Sequence, residues 1–216
     1  AVLTTLHRIQ HVRDPAVPDY SPARFRDELD IFARWFVEAF LGRAFPDGRL
    51  ESVFALLVDN TREQVQCCVH RDFHCRNLLL TETGEIGVVD FQDALVGPAA
   101  YDLASLLRDC YHRFPEADVA RWRDAYLAGT DLPVDADAFA RQLDLTAVQR
   151  QLKAVGIFAR LHLRDSKSTH LPSIAPVLDQ LTDLCSAYAE LLVLGDFLEE
   201  IRPVTERRLE PLLCAP

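Results

Sequence analysis

Asp72, Asn77 and Asp90 are the residues whose types and spacing could carry out a reaction, and that reaction is phosphoryl transfer from ATP. They stand in HRDFHCRNLLLTETGEIGVVD, residues 70–90. In such a pattern the first aspartate orients an acceptor hydroxyl and takes its proton. The asparagine five residues on reaches a metal, and the second aspartate holds that metal on the phosphates. Asn77 and Asp90 both offer oxygen, the donor type that Mg²⁺ selects. An edge of a metallohydrolase site would also contain His-x-Asp-x-His. Fixed types at four positions, fixed spacing and an intervening hairpin favour the kinase-type reading.

The neighbours supply the remaining candidates. His74 and Arg76 lie in the same loop, where a cation could steady the γ-phosphate as charge develops. Either could instead hold the acceptor, and an arginine suits a carboxylate in two-pronged fashion. Arg76 reads equally well as a solvated surface residue. Gln92 and Asp93 follow the metal aspartate and could hydrogen-bond substrate hydroxyls, Asp93 being the stronger candidate. His70 reads as scaffold, a histidine that packs and hydrogen-bonds backbone. Asp102 opens a helix after Gly97-Pro98, where a negative charge suits the helix dipole.

These side chains need elements to position them. Two apolar runs, Leu78 to Leu80 and Ile86 to Val89, flank Thr-Glu-Thr-Gly-Glu and predict a β-hairpin that brings Asn77 and Asp90 together. Cys67-Cys68-Val69 predicts a strand entering the loop, and Gly97-Pro98 a loop leaving it. The rest reads as helices. The spacing predicts them over 1–13, over 21–42 with a stripe of Phe25, Leu29, Phe32, Phe36 and Phe40, and over 50–60. Further helices are expected over 101–111, 116–128, 136–164 with a kink at Gly156, 173–194 and 196–208. The expected fold is mainly α with a small β-hairpin insert, in one domain over 1–216.

Composition narrows the function classes. The chain has 216 residues, 49% of them hydrophobic, and a net charge of −10. With a pI near 5.1, neither nucleic acid nor an anionic membrane surface is expected as a partner. No run of eighteen apolar residues and no secretory signal is seen, so the reading is cytoplasmic. Cys67, Cys68, Cys75, Cys110, Cys185 and Cys214 show no CxxC pair and read as buried, reduced thiols. The chain opens on Ala1 without a methionine, so residue 1 is not read as a translation start. Its lysines are Lys153 and Lys167, both downstream of the motif. A kinase-type site also wants an upstream lysine and a Gly-rich loop over the phosphates. The sequence therefore reads as a catalytic lobe, with the nucleotide-covering N-terminal lobe expected elsewhere in a full-length protein.

His70-x-Asp72-x-His74-x-x-Asn77 among helices resembles the C-terminal lobe of the aminoglycoside phosphotransferase/choline kinase superfamily, small-molecule kinases with a protein-kinase-like fold. FQDALVGPAAYDLASLLRDCY (91–111) and LDLTAVQRQLKAVGIFARL (143–161) are similar to bacterial kinases that phosphorylate N-acetylmuramate and N-acetylglucosamine at the anomeric hydroxyl. The resemblance implies ATP and Mg²⁺ as cofactors and an amino sugar as the small-molecule hydroxyl substrate. It implies that His74 stands where protein kinases place a lysine near the transferred phosphate, and that Asp102 braces the catalytic-loop backbone. Gln92 stands where protein kinases have the glycine of Asp-Phe-Gly, and Arg71 keeps the protein-kinase His-Arg-Asp form. An aminoglycoside, choline or homoserine-like acceptor is the alternative within the same chemistry. A non-catalytic kinase-like binding protein is the alternative outside it, and the presence of Asp72, Asn77 and Asp90 together opposes that reading.

Overall fold

The computed structural model describes residues 1–213, and Cys214 lies outside them. Two compact units make it up. The first takes Ala1–Pro22 and Asp59–Ala147; the second takes Ala23–Val58 and the described residues from Val148 onward. Helices predominate, with two small antiparallel sheets.

The first unit opens with α1 (Val2–Gln10) and carries β1 (Gln66–Val69), β2 (Leu78–Leu80), β3 (Ile86–Val88) and β4 (Leu95–Pro98). It continues with α4 (Ala100–Leu107), α5 (Glu116–Gly129) and the first part of α6 (Ala136–Asp165). The predicted hairpin forms, with Leu78 opposite Val88 and Leu80 opposite Ile86. Its turn closes through Thr81 O, which accepts from Gly84 N–H at 3.0 Å while Gly84 takes φ +81. The predicted loop at Gly97-Pro98 is instead β4, antiparallel to β1 from Gln66↔Pro98 to Val69↔Leu95. Gly-Pro reads as punctuation, but here Pro98 sits at the strand end, where its missing N–H interrupts nothing. Backbone bonds from Tyr20 N–H to Val96 O (2.8 Å) and Val96 N–H to Pro18 O (2.9 Å) cover the other edge of β4.

α4 positions the site, and buried amides position α4. Ala100, Tyr101, Leu103, Ala104 and Leu107 are buried. Gln64 Oε1 accepts from Ala100 N–H at 3.1 Å, and Gln10 Nε2 donates to Ala99 O at 2.9 Å. Tyr126 O–H donates to Gln10 Oε1 at 2.9 Å. Each such group left unpartnered would cost about 1–3 kcal/mol, so these bonds fix where the helix starts. The helix expected over 101–111 stops at Leu107, because Asp109 Oδ1 captures the Tyr111 N–H at 2.8 Å in a turn.

In the second unit, α2 (Pro22–Ile31) runs into a π-helical stretch, Phe32–Phe40. The expected aromatic stripe is core: Phe25, Leu29, Phe32, Phe36 and Phe40 are all buried. The wider coil was not foreseen, and it begins at the backbone that Gly156 of α6 meets. A Cβ on Gly156 would stand 2.7 Å from Ile31 C and O and from Phe32 N. Hence α6 has no break at Gly156; the glycine serves a close approach instead of the expected kink. α3 (Asp47–Glu63) is longer than predicted. The helix expected over 173–194 divides into α7 (Ile174–Ser186) and α8 (Leu192–Leu213), with a short 3₁₀ turn at Ala189–Leu191 between them. Lys153 pairs with buried Glu28 at 3.0 Å, and Gln149 Nε2 donates to the other Glu28 oxygen at 3.2 Å.

Candidate active site

The segment between β1 and β2, residues 70–77, is irregular and yet closely held. His70 and Arg71 are buried; Asp72, His74 and Asn77 are half-buried; Cys75 and Arg76 are exposed. Asp102, fully buried in the first turn of α4, accepts from His70 N–H at 2.7 Å through Oδ2 and from Arg71 N–H at 2.9 Å through Oδ1. Ser105 Oγ, one helical turn on, donates to Arg71 O at 3.3 Å. Arg71 takes φ +77, a left-handed conformation costly for a non-glycine residue, and these three bonds hold it there. Asp102 thus lies in the first turn of α4 and holds the loop backbone through two N–H groups.

The second half of the loop is tied internally and to the hairpin. Asp72 O accepts from His74 N–H at 3.0 Å and from Asn77 Nδ2 at 2.9 Å. Asn77 O accepts from Val89 N–H at 3.1 Å, and His70 Nε2 lies 3.0 Å from Val89 O. The hairpin thus returns Val89 and Asp90 to the loop that begins it. Asp90 takes φ +71, the second left-handed residue of the site. Gln92 Nε2 donates to Asp90 Oδ1 at 2.6 Å, so its amide turns to the carboxylate beside it. Asp93 is exposed, and its carbonyl accepts from Arg71 Nη1 at 3.5 Å.

These contacts decide which atoms face outward. With Nδ2 donating to Asp72 O, the Asn77 amide keeps Oδ1 for a cation. Asp90 keeps the oxygen that Gln92 does not take. One amide and one carboxylate oxygen fit Mg²⁺, which keeps most of its shell for water and phosphate. Among the described residues no group of three or more His, Cys, Asp or Glu side chains is placed to hold an ion.

Two residues that touch the candidate site, Asp109 and Tyr111, were missed in the sequence. Asp109 is buried; beyond Tyr111 it accepts from Cys75 N–H at 3.4 Å through Oδ2. Tyr111, expected at the end of a helix, lies in the turn after α4. The Arg76 guanidinium stacks over its ring at 3.5 Å, and the His74 ring meets it edge-on at 5.7 Å. The signal was an aspartate two residues before an aromatic at the end of an apolar helix, the pattern of an Asx turn. Burial pushes the Tyr111 phenol up, opposed in part by the positive charge of Arg76 over its ring.

The cysteines divide. Cys67, Cys68 and Cys185 are buried, with burial holding Cys67 and Cys185 up to about 12. Cys75, expected to be buried, is exposed; desolvation and its hydrogen bond to Asp109 push it up to about 11. None of the five described cysteines forms a disulfide with another described residue. No helix among the described residues is long and apolar enough to cross a membrane.

Comparison with known proteins gives consistent matches. A model of the phosphotransferase enzyme family matches residues 1–143. An N-acetylmuramate/N-acetylglucosamine kinase of Neisseria meningitidis is 40% identical over 88% of this chain and 59% of its own length. The proteins of the same name from Pseudomonas putida and Pseudomonas aeruginosa are 36% and 37% identical, over 88% and 86% of this chain. The chain spans 58% and 57% of the lengths of those two relatives.

Proposed function

The chain belongs to the phosphotransferase enzyme family, and we propose that it carries the catalytic lobe of a kinase that moves the γ-phosphate of ATP to the anomeric hydroxyl of N-acetylmuramate or N-acetylglucosamine. The observation that carries this reading is the tie between Asn77 and the backbone of Asp72 at one end of the hairpin whose other end presents Asp90. That tie supports the reading because Asp72, Asn77 and Asp90 then belong to one loop-and-hairpin unit.

Asp72 orients the acceptor hydroxyl and takes its proton late in transfer. An anomeric hydroxyl is more acidic than an ordinary alcohol, so an ordinary carboxylate suffices. Asn77 and Asp90 would hold Mg²⁺, which when bound supplies charge neutralisation at the phosphate oxygens. His74 faces the transferred phosphate, and Arg76 reaches the acceptor. Gln92 orients Asp90, Asp93 lines the acceptor side, and His70 and Asp102 keep the loop in shape. The lysine and Gly-rich cover that phosphoryl transfer also wants we assign to the part of the relatives' length that this chain does not span. ATP dependence and a sugar freed from cell-wall recycling make the proposed setting the cytoplasm.

A coupled assay on the protein as its gene encodes it tests the reading. The acceptors are N-acetylmuramate, N-acetylglucosamine, an aminoglycoside, choline and homoserine. Turnover confined to the two sugars, with a C1 phosphate in the product, is the expected result. Turnover confined to another acceptor replaces the sugar, and none with any acceptor leaves a kinase-like binding protein.

A further inference from the structure

The two sugars of the proposed reaction differ in one respect that a protein reads easily: N-acetylmuramate carries a lactyl carboxylate and N-acetylglucosamine is neutral. Arg76 is the exposed arginine of the loop, Arg71 being buried, and its surroundings are unusual for such a residue. Its guanidinium lies 3.5 Å over the centre of the Tyr111 ring, close enough for face-to-face stacking. Its ionic groups take no carboxylate partner among the described residues. Stacking uses the face of the guanidinium and leaves its in-plane N–H groups pointing outward, the arrangement a bidentate carboxylate needs.

The platform is itself fixed. Tyr111 N–H and Cys75 N–H both donate to the one Asp109 carboxylate, at 2.8 and 3.4 Å. The residue before Arg76 and the ring beneath it therefore share an anchor. His74 closes another side of that ring at 5.7 Å. An exposed arginine ordinarily samples many rotamers, and ordering it on binding costs about 1.5–2 kcal/mol. Here much of that ordering is present before a ligand arrives.

We infer that Tyr111 is a positioning residue for Arg76, and that through it the acceptor site favours sugars bearing a carboxylate over neutral ones. This rests on the sugar-kinase reading above. It goes beyond that reading by assigning the choice between acceptors to a ring that touches neither of them. Tyr111 acts through its face, so the hydroxyl is dispensable and the aromatic ring is not.

The test uses the protein as its gene encodes it, with Tyr111→Leu, Tyr111→Phe and Arg76→Gln compared with wild type on both sugars. Tyr111→Leu should lower the ratio of kcat/KM for N-acetylmuramate over N-acetylglucosamine about tenfold, within the range of a cation–π contact, mostly through KM for the acidic sugar. Arg76→Gln should lower it at least as far, and Tyr111→Phe should retain the wild-type ratio. An unchanged ratio in Tyr111→Leu, or a fall that Tyr111→Phe shares, overturns the inference. Inactivity of the wild type on both sugars would overturn the sugar reading instead. The positioning is then read by NMR: stacking displaces the Arg76 Nε–Hε resonance upfield, and added D-lactate moves it. A resonance at the ordinary arginine position that ignores D-lactate overturns the inference even if Tyr111→Leu fails to fold.

Discussion

Asp102 and Asp109, seven positions apart in sequence, grip opposite ends of the same loop: Asp102 holds the backbone N–H groups of His70 and Arg71, and Asp109 holds that of Cys75. Both are buried, one at the start of α4 and one in the turn that ends it. The loop is thus held from the two ends of a single helix, with Asp72, Phe73 and His74 between the grips.

Removing the first grip should show as lost stability. Asp102→Ala leaves two buried N–H donors without acceptors, and each costs about 1–3 kcal/mol. Urea unfolding should register a loss of about 2–5 kcal/mol, and Asp102→Asn, which keeps one acceptor, roughly half of it. A loss below about 0.5 kcal/mol in the alanine variant would mean that water replaces the carboxylate.

Asp72→Ala, in the protein as its gene encodes it, should lower turnover by about 10²–10⁴ with little change in nucleotide affinity, the usual contribution of a positioned base. Steady-state kinetics beside ATP titration separate the two. Near-normal turnover would remove Asp72 from that role.

Asn77→Ala and Asp90→Ala should each raise the Mg²⁺ concentration for half-maximal turnover by on the order of tenfold or more, because Mg²⁺ accepts few protein ligands and each variant removes one. Superimposable Mg²⁺ titrations for wild type and both variants would place the metal elsewhere.

Cys75 should alkylate slowly despite its exposure. Only the thiolate reacts, and a thiol pushed up to about 11 is almost wholly protonated at pH 8. Iodoacetamide labelling read by mass spectrometry should therefore quicken steadily from pH 8 towards pH 11. Asp109→Asn removes a hydrogen-bonding carboxylate that favours the neutral thiol, so labelling at pH 8 should speed up. Labelling of Cys75 at the rate of a free thiol peptide would contradict the assigned environment.

Gly156→Ala reverses a familiar sign. In a helix interior this change ordinarily stabilises by about 1 kcal/mol. Here the added carbon would meet the backbone of Ile31 and Phe32 at 2.7 Å, which no rotamer relieves. Overpacking of this kind costs about 1–3 kcal/mol, so thermal unfolding should come earlier. A raised Tm would mean that the two helices separate without cost.

Much of the candidate site's backbone was legible because its residues lie close in sequence. Asp72, Asn77 and the hairpin leading to Asp90 lie within nineteen positions, and turn chemistry joins them. What stayed hidden depends on distant pairing. β4 is a strand because β1 and Tyr20 flank it, whereas its own Gly-Pro pair suggests a turn. Gly156 suggested a kink because its partner, the backbone at Ile31, is 125 positions away and carries no pattern of its own. Tyr111 was absorbed into a helical periodicity that Asp109 cuts short. Local rules cannot anticipate a side chain that ends a helix by serving a loop thirty-four residues earlier.

The left-handed turn at Asp90 also limits how this position can change over generations. A single nucleotide substitution converts an aspartate codon to glutamate and preserves the charge, so by chemistry alone the exchange would be among the mildest available. By backbone it is not. Glycine has no Cβ to crowd the following carbonyl, asparagine and aspartate offset that contact with a local hydrogen bond, and most other side chains meet it uncompensated. Of the residues this turn accepts at ease, aspartate alone is an acid. Drift at residue 90 is therefore confined to a narrow alphabet, set by geometry before any reaction is considered.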